Sequence, residues 1–287
     1  MLGLAEDPIA SLYPTMNVLT NSEMKYPNAC TGDGRELAVT QGTLDEILAS
    51  PDREARRTAW EGFCDTHLAF KNTLASNLLA SIKTNVFAQR VRKYPSTLEG
   101  SLFANNIPPE VSHKLLQTVR KNLRVWHKYW RVRREALGQT DLQPYDVWAP
   151  PTKEKVTVSY ETAVEWICAG LAPLGEDYVF TARRGLLEEG WVDVYPNLNK
   201  SASQFSSGSK GTHPFIVMLY DDTIFSMSTL AHELGHSMHS YLTWKHQPAV
   251  YAQYSLFVAE VASNFNQALV RAHLLKTRIL QLKERRD

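Results

Sequence analysis

Cysteine is scarce: the 287-residue chain has Cys30, Cys64 and Cys168, an odd number with no two close together. That excludes a disulfide framework and a zinc site built from thiolates, and it fits a reducing compartment. Long apolar runs are also missing, since none approaches the ~20 residues that cross a bilayer. The opening MLGLAEDPIA has no basic segment and carries Glu6 and Asp7, so a secretory leader is not expected and a cytoplasmic location is. Charge of one sign is absent too. Lys and Arg number 31 against 30 Asp and Glu, a net charge of +1, so no global field draws the chain to nucleic acid or to an anionic membrane. Internal repeats and low-complexity segments are lacking. What remains is 44% hydrophobic and 21% charged residues, the make-up of a globular protein able to bury a real core as one large or two modest domains.

Most of that chain reads as helix. MNVLT and ELAVT, around the turn-rich NACTGDGRE, suggest two short strands. TLDEILAS reads as a short helix with Thr43 and Glu46 as a capping box, and Pro51 suits a first helical position. Apolar residues at helical spacing continue to about Val91, too long a run for one globular helix, so a break is expected within it. IPPE opens a helix to about Leu137, stopped by Gly138. It carries Lys121, Arg124, Lys128, Arg131 and Arg134 with Trp126, Tyr129 and Trp130 interleaved. A solvated basic stripe opposite a buried aromatic one explains that pattern better than a nucleic-acid face. Helices near 159–172 and 176–189 follow. A Ser/Gly/Lys loop over 199–212 leads into HPFIVMLY, which reads as a strand of about six residues. Ser226 or Ser228 is then placed to cap the next helix.

That helix holds TLAHELGHSMHSYL, residues 229–242. His232 and His236, four apart, lie about 40° apart in azimuth and one turn apart in rise, so both imidazoles can bind one ion. Glu233 is about 100° around from His232. That offset suits a general base acting on a water at the ion better than a third ligand. Leu230, Leu234 and Met238 form a separate apolar row that anchors the helix. A zinc site of this class needs a third protein ligand and an open position. In FVAEVASNFNQALV, residues 257–270, Glu260, Asn264 and Gln267 line up with Arg271 as one polar stripe, apart from Phe257, Val261, Phe265 and Leu269. A metal explains such a stripe on a buried helix. Glu260 would be the third ligand, with Asn264 and Gln267 hydrogen-bonding to the ligands from outside.

HELGHSMHSY followed by YSLFVAEVAS resembles the M3 family of zinc peptidases, in particular its oligoendopeptidase F branch. So do SSGSKGTHPFIVMLY before the helix and, far upstream, ASPDREARRTAWEGF and KNTLASNLLASIKTNVFAQRVRKYPSTLEGSLF. These segments keep the family's order over nearly the whole chain. The resemblance implies a mainly α, multi-helix zincin-like fold with a small sheet beside the active-site helix. It implies one zinc ion held by His232, His236 and Glu260, with Glu233 polarising water. It implies an oligopeptide substrate held by strand 214–220 through Phe215 and Val217. By position His213 and His239 are candidates to line the cleft, and packing histidines are the favoured alternative for both. Residues 1–190 would form a mainly helical lobe and 191–287 the zinc-binding core of a partial peptidase domain. Set against the family's length, the given sequence is expected to have no counterpart of the family's N-terminal helical region or of the later His and Tyr residues that stabilise the oxyanion. Gln267 also stands where the family usually has Glu, a weaker acceptor for an imidazole N–H. The rival readings are a catalytically weak or inactive metal-binding remnant of the same fold and a binding module built on the basic helix 110–137.

Overall fold

The structure is a computed structural model that describes residues 10–151, 156–197, 200 and 203–277. It is mainly helical, with two small sheets, and divides into compact units over residues 1–154 and 155–287.

In the first unit, helix α1 (Leu12–Asn17) runs into a π-helical turn, Val18–Glu23. MNVLT is therefore helical and not a strand. The expected hairpin lies further on, where β1 (Ala29–Cys30) pairs antiparallel with β2 (Glu36–Leu37) across a turn in which Gly34 adopts φ +86°. Helix α2 (Leu44–Leu48) has Thr43 at its cap, but no capping box forms. The Thr43 hydroxyl instead donates to Ala38 O and accepts from Thr40 N–H. Pro51 lies outside the next helix, α3 (Arg53–Ala69). Asp52 caps it by accepting from the backbone of Glu54 and Ala55, and it also holds the hairpin through Gly32 N–H. The break expected in the long helical run falls at Phe70, after which α4 (Lys71–Val91) begins. Helices α5 (Thr97–Phe103) and α6 (Pro109–Ala136) follow, the latter ended by Gly138 at φ +63°.

Ala29, Val39, Leu44, Ile47, Leu48, Ala55 and Ala59 form this unit's core. Beside it the buried Asp146 carboxylate receives Arg53 and Arg56. Helix α6 buries none of its residues, and Trp126 and Tyr129 are exposed, so the aromatic stripe expected to be buried is not.

The second unit contains α7 (Tyr160–Gly170) and α8 (Glu176–Leu187). The sequence grouping put these helices with residues 1–190, but they share one core with the His-bearing helix, through Val164, Ile167, Leu171 and Leu186. Three short strands, β3 (Val192–Asp193), β4 (Phe205–Ser207) and β5 (Phe215–Val217), form a sheet of order β3-β5-β4. β3 and β5 are parallel, β4 and β5 antiparallel. Helix α9 (Ile224–His246) is capped by Thr223, which accepts from Ser226 N–H, and not by Ser226 or Ser228. Helix α10 (Leu256–Lys276) packs along it. Leu230, Leu234 and Met238 are fully buried, each worth about 2 kcal/mol of transfer free energy.

The α9–α10 contact is unusually close. A Cβ on Gly235 would lie 2.5 Å from Ser263 Cα, and one on Gly170 of α7 would lie 2.7 Å from Val270 Cα. Only small side chains fit such crossings. The buried face of α10 is accordingly Ala259, Ser263 and Asn266 before it turns to Val270 and Leu274. Phe257, Val261 and Phe265 are exposed, and Glu260 and Gln267 are only partly buried.

Candidate metal centre

Helix α9 places His232 and His236 on one face with their rings 4.9 Å apart and nearly perpendicular. The antiparallel α10 brings Glu260 to both. Its carboxylate oxygens lie 3.4 Å from His232 Nε2 and 3.9 Å from His236 Nε2. Two ligand atoms on one tetrahedral zinc, at about 2.0–2.1 Å each, are separated by about 3.3 Å. The donor set therefore fits a single zinc ion before any ion is placed. Two imidazoles and a carboxylate also leave a fourth position open. Burial, and then the charge of His232, hold the His236 imidazole below its ordinary pKa. Its ring also hydrogen-bonds to the Ala259 carbonyl, which orients it from the α10 side.

Glu233 is buried, at 7% exposure, in the same cluster: one donor atom each from His232, Glu233 and His236 lie within 4.8 Å of one another. Burial first, and then the charge of Glu260, push its carboxyl up to about 7, against a lowering hydrogen bond from Ser206 N–H. That bond comes from β4, whose Ser206 hydroxyl also pairs with Ser237 Oγ at 2.8 Å. The edge strand of the sheet thus fixes the carboxylate in position. Ser206 went unrecognised in the sequence because a serine in a Ser/Gly/Lys loop carries no spacing signal. The only cue was that the loop leads into the strand before the helix.

The other expected residues divide. Asn264 Nδ2 donates to the Glu260 carbonyl at 2.7 Å and approaches its Oε2 at 3.3 Å, so it does engage the carboxylate. Gln267 Nε2 donates at 2.8 Å to Ser228 Oγ, one turn before His232, and its amide is not directed to an imidazole. His239 packs edge-on against Tyr254 at 4.3 Å, and burial lowers its pKa. His213 is sandwiched between Trp191 and Phe215, with Nδ1 2.8 Å from the Pro214 carbonyl, a packing role. β5 is the central strand, so the backbone of Phe215 and Val217 is already paired with its neighbours. Strand-like pairing to another peptide there is blocked, and among the described residues β4 is the strand beside the cluster with an outer edge.

Residues 47–286 match the model of peptidase family M3. The chain is 40% identical over 276 residues to the oligopeptidase PepF of Bacillus subtilis, covering 96% of this chain and 41% of that one. It is 34% identical to the group B oligopeptidase PepB of Streptococcus agalactiae, covering 46% of it. The crystal structure of oligoendopeptidase-F from Enterococcus faecium superposes with a TM-score of 0.64 at 27% identity, over 95% of this chain and 42% of that one. The chain spans less than half the length of these relatives. No helix among the described residues is long and apolar enough to cross a membrane.

Proposed function

Because the chain belongs to peptidase family M3, we propose that it binds one zinc ion through His232, His236 and Glu260 and hydrolyses internal peptide bonds of short oligopeptides. The observation that carries this reading is the convergence of both Nε2 atoms on the Glu260 carboxylate, with the Glu233 carboxylate fixed beside them. The relatives' names, oligopeptidase and oligoendopeptidase, support the substrate class. All four residues fall within 191–287, which we take as the zinc-binding part. A cytoplasmic location is supported by the free thiols of Cys30, Cys64 and Cys168.

When bound, zinc would supply Lewis acidity toward the scissile carbonyl and an acidified water. The remaining work falls to this chain's own groups. Glu233 accepts the proton of the attacking water and returns it to the leaving amine. Ser206 N–H keeps that carboxylate oriented toward the cluster. Asn264 steadies Glu260, and the Ala259 carbonyl steadies His236.

The test is metal analysis of the purified chain beside hydrolysis of a quenched fluorescent oligopeptide. Wild type should hold about one zinc per chain, and His236→Ala should lose it. Glu233→Gln should keep the metal and lose activity by at least about 100-fold, the scale of a general base. Equal zinc content in wild type and His236→Ala, or loss of zinc in Glu233→Gln, would sink the assignment.

A further inference from the structure

The polar stripe of α10 continues past the cluster. On an ideal helix Glu260, Asn264, Gln267 and Arg271 fall within about 60° of azimuth, and Arg271 lies about 16 Å beyond Glu260. Between α9 and this face runs an open groove of about 500 Å³, walled by Ser228, Asn264, Gln267 and Arg271 and by Ala268 and Leu275. Gln267 is tied across it to Ser228. Arg271 is exposed and makes no ion pair among the described residues. A guanidinium fork is built for a carboxylate and binds it bidentately.

We propose that this groove is a peptide subsite in which Arg271 binds a carboxylate of the substrate, the C-terminal one of a short peptide. The proposal rests on the peptidase reading and names its substrate more narrowly. An extended peptide advances about 3.3 Å per residue. The rise of about 16 Å from Glu260 to Arg271 therefore places the carboxylate about five residues beyond the cleaved bond. The small Ala268 leaves room for backbone in the groove, and Leu275 offers an apolar contact beside the charge.

The experiment measures binding and cleavage separately. Zinc-loaded full chain carrying Glu233→Gln, which does not turn over, is titrated with N-terminally fluorescent peptides of about eight residues. They are matched in sequence and end in a free carboxylate or in an amide. The free acid should bind about tenfold more tightly, the contribution of one charge-assisted pair in a partly exposed groove. Adding Arg271→Ala should remove that difference, and Arg271→Lys should keep part of it. An amidated peptide with a glutamate near its end separates the two sources of carboxylate. If it binds as tightly as the free acid, the site reads a side chain and the C-terminal assignment falls. Equal binding of acid and amide, no binding of either, or a preference that survives Arg271→Ala overturns the proposal. Cleavage by wild type is scored independently. Hydrolysis without carboxylate preference spares the peptidase reading and sinks this one, and preference without hydrolysis does the reverse.

Discussion

Ser263 Oγ donates to Glu260 Oε2 at 3.2 Å, and beside it stands Asn264. Its amide touches both the backbone carbonyl and the carboxylate of Glu260. Glu260 is half exposed, so the hydrogen bonds from Ser263 and Asn264 favour the ligand geometry. Asn264→Ala should lower zinc affinity by roughly tenfold, the low end for a group that orients a ligand, with little change in Tm because the side chain is exposed. Competition with a fluorescent chelator measures it, and unchanged zinc retention would remove Asn264 from the site. Residues of this kind were legible only where helical spacing is strict. His232, Glu233, His236 and Glu260 follow from positions along two helices, whereas Ser206 and the Ala259 carbonyl act through tertiary contacts that no periodicity reports. Gln267 shows the limit of spacing. It lies on the expected face, yet the hydroxyl of Ser228 was the nearer partner for its amide.

At the scale of elements the site depends on how closely α9 and α10 approach. Gly235 sits between His232 and His236 on the sequence, and its missing side chain lets the Ser263 backbone come within what would be 2.5 Å of a Cβ. Alanine is worth up to about 1 kcal/mol over glycine in a helix interior. Overpacking against backbone, which cannot rotate away, costs about 1–3 kcal/mol. The second effect should win, so Gly235→Ala should lower Tm and also weaken zinc binding, because it moves Glu260 and the Ala259 carbonyl away from the imidazoles. Gly170→Ala, which meets Val270 Cα on the same buried face about two turns further along α10, should lower Tm with a smaller effect on zinc. Scanning calorimetry with zinc titration checks both. A Gly235→Ala chain that is more stable and binds zinc normally would show that the crossing is not tight. Helix existence was legible from apolar period and from Gly138 as a stop, and a break in the long run was expected though not its place at Phe70, but caps were not legible. Thr223 and Asp52 won their positions through donors offered by the folded chain, over serines and a proline that fit the local pattern equally well. The polar stripe on α10 was seen, but not that close packing would turn its small residues inward and leave Phe257, Val261 and Phe265 outside.

Over the whole molecule, the two units are held by different chemistry. The second buries a continuous apolar core and presents the candidate zinc ligands, so a ligand that binds its folded form should stabilise it by mass action, about 4 kcal/mol at a thousandfold excess over Kd. The first has a smaller core beside a buried charge cluster, Asp146 with Arg53 and Arg56. Burial pushes the Asp146 carboxyl up, but the hydrogen bonds from Arg53, Gln143 N–H and Arg56, with the charge of Arg53, outweigh it and hold the pKa below its ordinary value of 3.8. A folded-state pKa below the unfolded one stabilises above the unfolded value and is lost as pH falls through the folded one. The contribution is thus intact at neutral pH and disappears below about pH 4. Asp146→Asn should mimic that loss at neutral pH, leaving the nearly inaccessible Arg56 guanidinium without its counter-charge at a cost of about 3 kcal/mol. Hydrogen exchange resolved by segment reads both effects in one experiment. Removing zinc with a chelator should release protection over 224–276, while Asp146→Asn should release it over 44–69. If chelation instead exposes 44–69 as strongly as 224–276, the metal is supporting a structure other than the one formed by α9 and α10. If Asp146→Asn leaves 44–69 as protected as in wild type, the ion cluster is not what holds the first core together.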